Sequence, residues 1–166
     1  MTSDTYVECL VSRKPSMGMK FLKVLLIMLC VAFALVGLSL TPIALLIAIA
    51  AGIGAYFVSL NASVEYEYLY LDREICIDKI MGQSRRKRVA SYEVDRIEIL
   101  APFKSYHLDD YRNRQCKDID FSSGMEEQPD KRYIFYYEGN QRIIFEPNDE
   151  FVKAVYNVAP RKVFKD

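Results

Sequence analysis

Residues 24–64 read VLLIMLCVAFALVGLSLTPIALLIAIAAGIGAYFVSLNASV, 41 positions without a charged side chain. One straight helix of that length would reach about 60 Å, twice the roughly 30 Å hydrocarbon core that about 20 residues span. A soluble core is excluded by length, because a domain of about 100 residues cannot hide such a run on every face. A cleaved signal peptide has an apolar region of about 7–15 residues, shorter than the first half of this run alone. The middle of the run, Gly37-Leu38-Ser39-Leu40-Thr41-Pro42, supplies the break. Pro42 suits the first turn of a new helix, and Thr41 or Ser39 is a candidate cap for it. The run therefore predicts a transmembrane hairpin over 19–60, with helices at about 19–38 and 42–60.

Neither helix holds Asp, Glu, Lys, Arg, His, Asn or Gln over 24–60, which leaves a transport or proton-relay path without residues. The second helix carries a stripe of small residues, Ala44, Ala48 and Gly52, with Ala50 and Gly54 as a further pair. Small side chains let helices approach closely in lipid, within the hairpin or against another membrane protein or a second copy. Arg13, Lys14, Lys20 and Lys23 precede the first helix, the turn has no basic residue, and Arg73, Lys79 and Arg85 to Arg88 follow the second. The positive-inside rule then predicts a cell-membrane protein with both termini cytoplasmic. The four cysteines, Cys9, Cys30, Cys76 and Cys116, stand apart with no C-x-x-C pair, as expected of free thiols in a reducing compartment. Residues 1–18 read either as a tail or as a short interfacial helix, with Thr5 as cap, Glu8 three positions later, and Val7, Leu10 and Val11 on one face.

From Val64 the pattern alternates with period two. "VEYEYLYL", "EICIDKI", "KRVASY" and "VDRIEIL" read as strands at hairpin spacing, with turns at Asp72-Arg73 and in "MGQS". Over 103–131 only "KDIDFSS" offers a strand. "KRYIFYY", Glu138-Gly139-Asn140 and "QRIIFEP" form a further hairpin. Asn148 is a helix cap with Asp149 and Glu150 in the first turn; Phe151, Ala154, Val155 and Val158 make an apolar face, and Pro160 stops the helix. The fold class expected is an α+β membrane protein: a two-helix transmembrane hairpin, then a cytoplasmic antiparallel β domain over 64–166 with a terminal helix at about 148–158.

The segments "YEYLYLDREICIDKIMGQSRRKRVASYEVDRIEIL" and "EPNDEFVKAVYNVAP" carry a resemblance. The β domain resembles the pleckstrin-homology-like (PH-like) fold, and the whole layout resembles small Gram-positive bacterial membrane proteins that join a two-helix hairpin to a bacterial PH-like domain. The terminal helix lacks the Trp typical of eukaryotic PH domains. An OB-type barrel is the alternative fold, although its helix usually sits mid-chain. The resemblance implies a non-enzymatic module that binds lipid headgroups, peptides or proteins.

No G-x-S-x-G, P-loop or H-E-x-x-H motif occurs. The only histidine, His107, with Asp109 and Asp110 nearby, matches no metal-ligand spacing and reads as a solvated loop. The adjacent acids Asp109-Asp110 and Glu126-Glu127 show no placement across a cleft. Thus no catalytic residue, cofactor or metal is expected. The strongest local feature is the basic run Arg85, Arg86, Lys87 and Arg88 with Lys79, a candidate contact for anionic lipid headgroups. No aromatic is interleaved, so nucleic acid is not an expected partner; membrane lipids are. The alternatives are a charged rim serving only solubility and topology, and a structural or assembly subunit of a larger membrane complex.

Overall fold

The computed structural model describes residues 6–82, 85–126 and 129–166. Thr5, half of the "MGQS" turn (Gln83 and Ser84) and Glu127 lie outside the described residues. The chain divides into a helical unit, Lys14–Val64 with Met81–Arg85, and a β unit holding the rest.

In the helical unit, α1 (Met17–Ser39) and α2 (Ile43–Ala62) have 23 and 20 residues, lengths of about 34 and 30 Å at 1.5 Å per residue. Ser16 caps α1, its Oγ accepting from the Met19 N–H at 3.2 Å. No side chain caps α2, contrary to the expectation for Thr41 or Ser39. Ser39 is still the last residue of α1, and Pro42 occupies the cap position itself, where it has no side-chain acceptor to offer; the Thr41 and Pro42 carbonyls start the helix instead. The two helices meet through small residues. Ala44, Ala48 and Ala55 are buried. A Cβ on Gly52 would lie 3.5 Å from Cys30 Sγ, and one on Gly37 only 2.7 Å from the Leu45 side chain. The stripe on α2 therefore packs inside the hairpin.

The β unit begins with a correction. Residues 7–12 are neither a tail nor an interfacial helix but a strand, β1 (Val7–Ser12), whose burial alternates residue by residue. It pairs antiparallel with β2 (Val64–Leu71) from Val7↔Tyr70 to Ser12↔Glu65. The competing helical spacing of Val7, Leu10 and Val11 lost because a ready-made edge satisfies the backbone of a period-two segment. The hairpin is thus the β1–β2 connection. β3 (Glu74–Met81) and β4 (Arg85–Glu93) complete a sheet of order β1-β2-β3-β4. Asp72 and Arg73 both have positive φ, 49° and 63°, as a tight β2–β3 hairpin requires.

The second sheet has the order β5-β7-β8-β6. Its strands are β5 (Ile97–Pro102), β6 (Lys117–Asp120), β7 (Tyr133–Tyr137) and β8 (Gln141–Phe145). Pairing is antiparallel except that β6 runs parallel to β8. That exception to an all-antiparallel pattern arises because the chain crosses from β5 to the far edge before β6. The C-terminal α4 (Asp149–Val158) is capped by Asn148, whose Oδ1 accepts from Phe151 N–H at 2.8 Å.

Between the sheets and α4 lies an aromatic core. Tyr68, Phe135, Phe145 and Phe151 are fully buried, and Tyr68 meets Phe145 edge-on at 5.5 Å. The Tyr68 hydroxyl donates to the Phe121 carbonyl at 2.7 Å. Burial pushes the phenol of Tyr68 well above its ordinary range and that of Tyr92 up to about 12. Both groups stay protonated when folded but ionise near pH 10 when unfolded. Their contribution to stability is therefore whole below about pH 10 and disappears as pH climbs toward the folded values. Denaturation midpoints measured between pH 8 and 12 should fall above about pH 10; a flat profile would refute this.

A second apolar layer covers the other face of the β5–β7–β8 sheet. Ile99, Ala101, Ile134 and Tyr136 are buried there beneath Leu108, with Tyr111, Ile144 and Phe164 packed around them. The cover is a 3-10 turn (Tyr106–Leu108) followed by the short helix α3 (Asp109–Arg112). His107 is consequently not in a solvated loop. It is half-buried, its ring stacked on Phe164 at 3.8 Å and tilted against Tyr106 at 3.9 Å. The chain beyond Pro160 also stays ordered: the Leu100 N–H donates to the Lys162 carbonyl at 2.7 Å and the Phe164 N–H to the Leu100 carbonyl at 2.8 Å. This segment closes the free edge of β5.

Candidate functional site: a basic rim divided by two carboxylates

The basic run opens β4, with Arg85, Arg86, Lys87 and Arg88 all exposed, and Lys79 half-buried on β3. Their roles diverge because carboxylates on β2 and β3 of the same sheet engage two of them. The Arg86 Nη2 lies 2.6 Å from Glu67 Oε1 and 2.5 Å from Oε2. Arg88 Nε donates to Asp78 Oδ1 at 3.0 Å. The acids are the buried partners, with side-chain exposures of 11% for Glu67 and 6% for Asp78, against 55% and 57% for the arginines. A carboxylate that far from water needs a compensating charge, so these arginines complete the sheet. The hydrogen bond to Asp78 accordingly raises the pKa of Arg88 above its ordinary value.

Lys79, Arg85 and Lys87 make no ion pair among the described residues and form the open part of the rim. Period-two alternation along the run already sets Arg86 and Arg88 on the face opposite Arg85 and Lys87, but it does not name their partners. Glu67 and Asp78 sit within "VEYEYLYL" and "EICIDKI", where alternation marks their face, but which arginine lies opposite each acid depends on register across three strands. The division predicts unequal variants. Arg88→Ala strands a buried carboxylate and should lower the thermal midpoint by several degrees, whereas Lys87→Ala should leave it within a degree or so. Equal shifts in a thermal melt of the two proteins would contradict the assignment.

Ala44 and Ala48, the other sequence candidates, are buried in the hairpin, and Gly52 faces Cys30. Asp109 pairs with Arg112 at 3.3 Å. Among the described residues no group of three or more His, Cys, Asp or Glu side chains is placed to hold a metal ion.

Comparison with known proteins adds a family. No curated protein and no solved structure matches the chain. A family model described as Bacterial PH-like domain (DUF6106) matches residues 3–165, a span that takes in β1 and the hairpin as well as both sheets and α4. The protein is a member of that bacterial PH-like domain family.

Proposed function

We propose that the protein is a membrane-anchored, non-enzymatic module. Its helices cross the bilayer as a hairpin with both chain ends in the cytoplasm, and its PH-like domain presents Lys79, Arg85 and Lys87 to anionic headgroups or to a protein partner at the inner face. The observation that carries the anchoring is the bare surface of the helices. Only 6% of the most apolar window of α1 and 11% of that of α2 is buried by the chain itself. In water so much exposed aliphatic surface is untenable for a monomer, whereas in lipid it is the requirement.

The β1–β2 pairing supports a single-sided arrangement. Ser12 and Glu65 are register partners, about 5 Å apart in an antiparallel ladder, so the hairpin leaves and rejoins the sheet at one point. The basic flank Arg13, Lys14, Lys20 and Lys23 favours the cytoplasm for that point. At about 1 kcal/mol per cation near an anionic surface, the three open rim residues contribute about 3 kcal/mol at most, enough to bias a tethered domain. The assembly alternative draws less support from the α2 stripe, since Ala44 and Ala48 are buried within the hairpin.

The test uses the full chain in nanodiscs. Hydrogen exchange over 79–88 should slow in phosphatidylglycerol relative to phosphatidylcholine at low salt, and a Lys79→Gln/Arg85→Gln/Lys87→Gln variant should lose the difference. Identical exchange in both lipids would remove the headgroup reading, and release of the protein by alkaline carbonate would remove the anchor.

A further inference from the structure

A pocket of about 400 Å³ opens at the margin of the second apolar layer, on the face of the β5–β7–β8 sheet covered by α3. That is within the usual size range for small-molecule sites. Ile134 and Tyr136 of β7 and Ile144 of β8 form its apolar floor, and Phe103 and Leu108 stand beside them. All of its charged lining is cationic: Lys104, Arg112 and Arg142, drawn from the segment after β5, from α3 and from β8.

The acidic neighbours do not exhaust these cations. Asp118 accepts from Arg142 Nη2 at 2.6 Å, and Arg142 Nε is buried without a hydrogen-bond partner of good geometry among the described residues. The Tyr136 phenol bears on the same guanidinium both as a side-chain hydrogen-bond partner and electrostatically. Asp109 reaches Arg112 only at 3.3 Å, and both side chains are more than half exposed. Asp130 is clasped by Arg132 through bonds of 2.9 and 2.8 Å, and Lys104, close enough to influence Asp130, forms no ion pair of its own among the described residues. Three cationic side chains gathered beside an apolar floor, engaged only in part by nearby acids, are the arrangement that a ligand anion would complete.

We propose that this pocket binds a phosphate monoester, its phosphate held by Lys104, Arg112 and Arg142 and its apolar or aromatic body lying on the Ile134–Tyr136–Ile144 floor. Three cations from three elements suit a tetrahedral anion with several acceptor oxygens better than a planar carboxylate, which a single guanidinium satisfies. The ester carries either a lipid tail or a soluble aromatic group, since both present the same chemistry to the pocket. The site shares no residue with the open rim and stands or falls independently of it.

Calorimetry on the full-length protein in phosphatidylcholine nanodiscs, with phenyl phosphate, inorganic phosphate and benzoate as probes, tests the assignment. Phenyl phosphate should bind about tenfold or more tightly than either of the others. Lys104→Gln and Arg112→Gln should each weaken it about tenfold, the loss of one charge-assisted contact, without a shift in thermal midpoint. Arg142→Lys, which keeps the charge beside Asp118 but loses the planar guanidinium fork, should weaken it as well. Gln at Lys79, Arg85 and Lys87 should leave it unchanged. Phosphatidic acid in the nanodisc would compete with phenyl phosphate if the natural ester is a lipid and would not if it is soluble; both results support the pocket and identify its source. Absence of phenyl phosphate binding, affinity unaltered in Lys104→Gln and Arg112→Gln, or equal affinity for benzoate would overturn the proposal.

Discussion

A fragment comprising residues 64–166 should fail to fold, whereas a chain in which Asn-Gly replaces residues 13–64 should be a soluble, cooperatively folding domain. The difference between the two is β1. It pairs with β2 over six register positions, which amounts to about six backbone hydrogen bonds. At about 1 kcal/mol net for each, the loss approaches the whole stability of an ordinary domain, about 5–15 kcal/mol. Deletion also bares the edge of "VEYEYLYL", a strand rich in tyrosine and suited to intermolecular pairing. In the chimera Ser12 and Glu65, already register partners, flank a two-residue loop, and Asn-Gly is the sequence that such a loop prefers. The ordered contacts given up include those of Arg13, whose Nη1 donates to the Tyr66 hydroxyl at 3.0 Å and to the Asp120 carbonyl at 3.1 Å, and the Gly82 N–H bond to the Ser63 carbonyl at 3.0 Å. Circular dichroism melts and size-exclusion chromatography decide the matter. A monomeric 64–166 fragment melting at the chimera's temperature would show that β1 adds nothing.

The second large effect is expected at Tyr68. Tyr68→Ala should cost about 3–5 kcal/mol, as large-to-small changes at buried aromatics do, and lower the chimera's midpoint by more than about 10 °C. The side chain is fully buried, with Phe145 at 5.5 Å and Phe151 at 6.4 Å between ring centres. Its hydroxyl also ties two distant segments together, donating to the Phe121 carbonyl at 2.7 Å and accepting from the Glu146 N–H at 3.4 Å. Tyr68→Phe separates the two roles. It keeps the ring and leaves the Phe121 carbonyl unmet in the core, so a smaller loss of about 1–3 kcal/mol is expected. Urea titrations of both variants give the comparison. A Tyr68→Ala protein within 1 kcal/mol of the parent would mean that the ring is not a core element.

Much of this architecture can be read along the chain because its signals are local. An uncharged run of 41 residues broken at Pro42, period-two alternation from Val64, and Asn148 ahead of an amphipathic stretch each depend on neighbours within a few positions. They determine the two apolar helices, most strands, the β7–β8 hairpin and α4. The fold class and family followed from these elements and their order.

What only the tertiary structure decided are pairings between residues far apart in sequence. "VECLVS" satisfies helical and strand spacing equally, and the choice came from an open edge on β2, more than fifty residues later. The segment 103–116 reads as a polar loop because its apolar residues are scattered; it is ordered because "YIFYY" is apolar on both faces and the second face needs a cover. Alternation along the basic run separates Arg86 and Arg88 from Arg85 and Lys87, but only strand register sets Glu67 beside Arg86 and Asp78 beside Arg88, leaving the other cations open. Spacing along the chain sets which way a side chain faces. Which charge or ring it meets depends on where distant strands come to lie, and no local pattern encodes that.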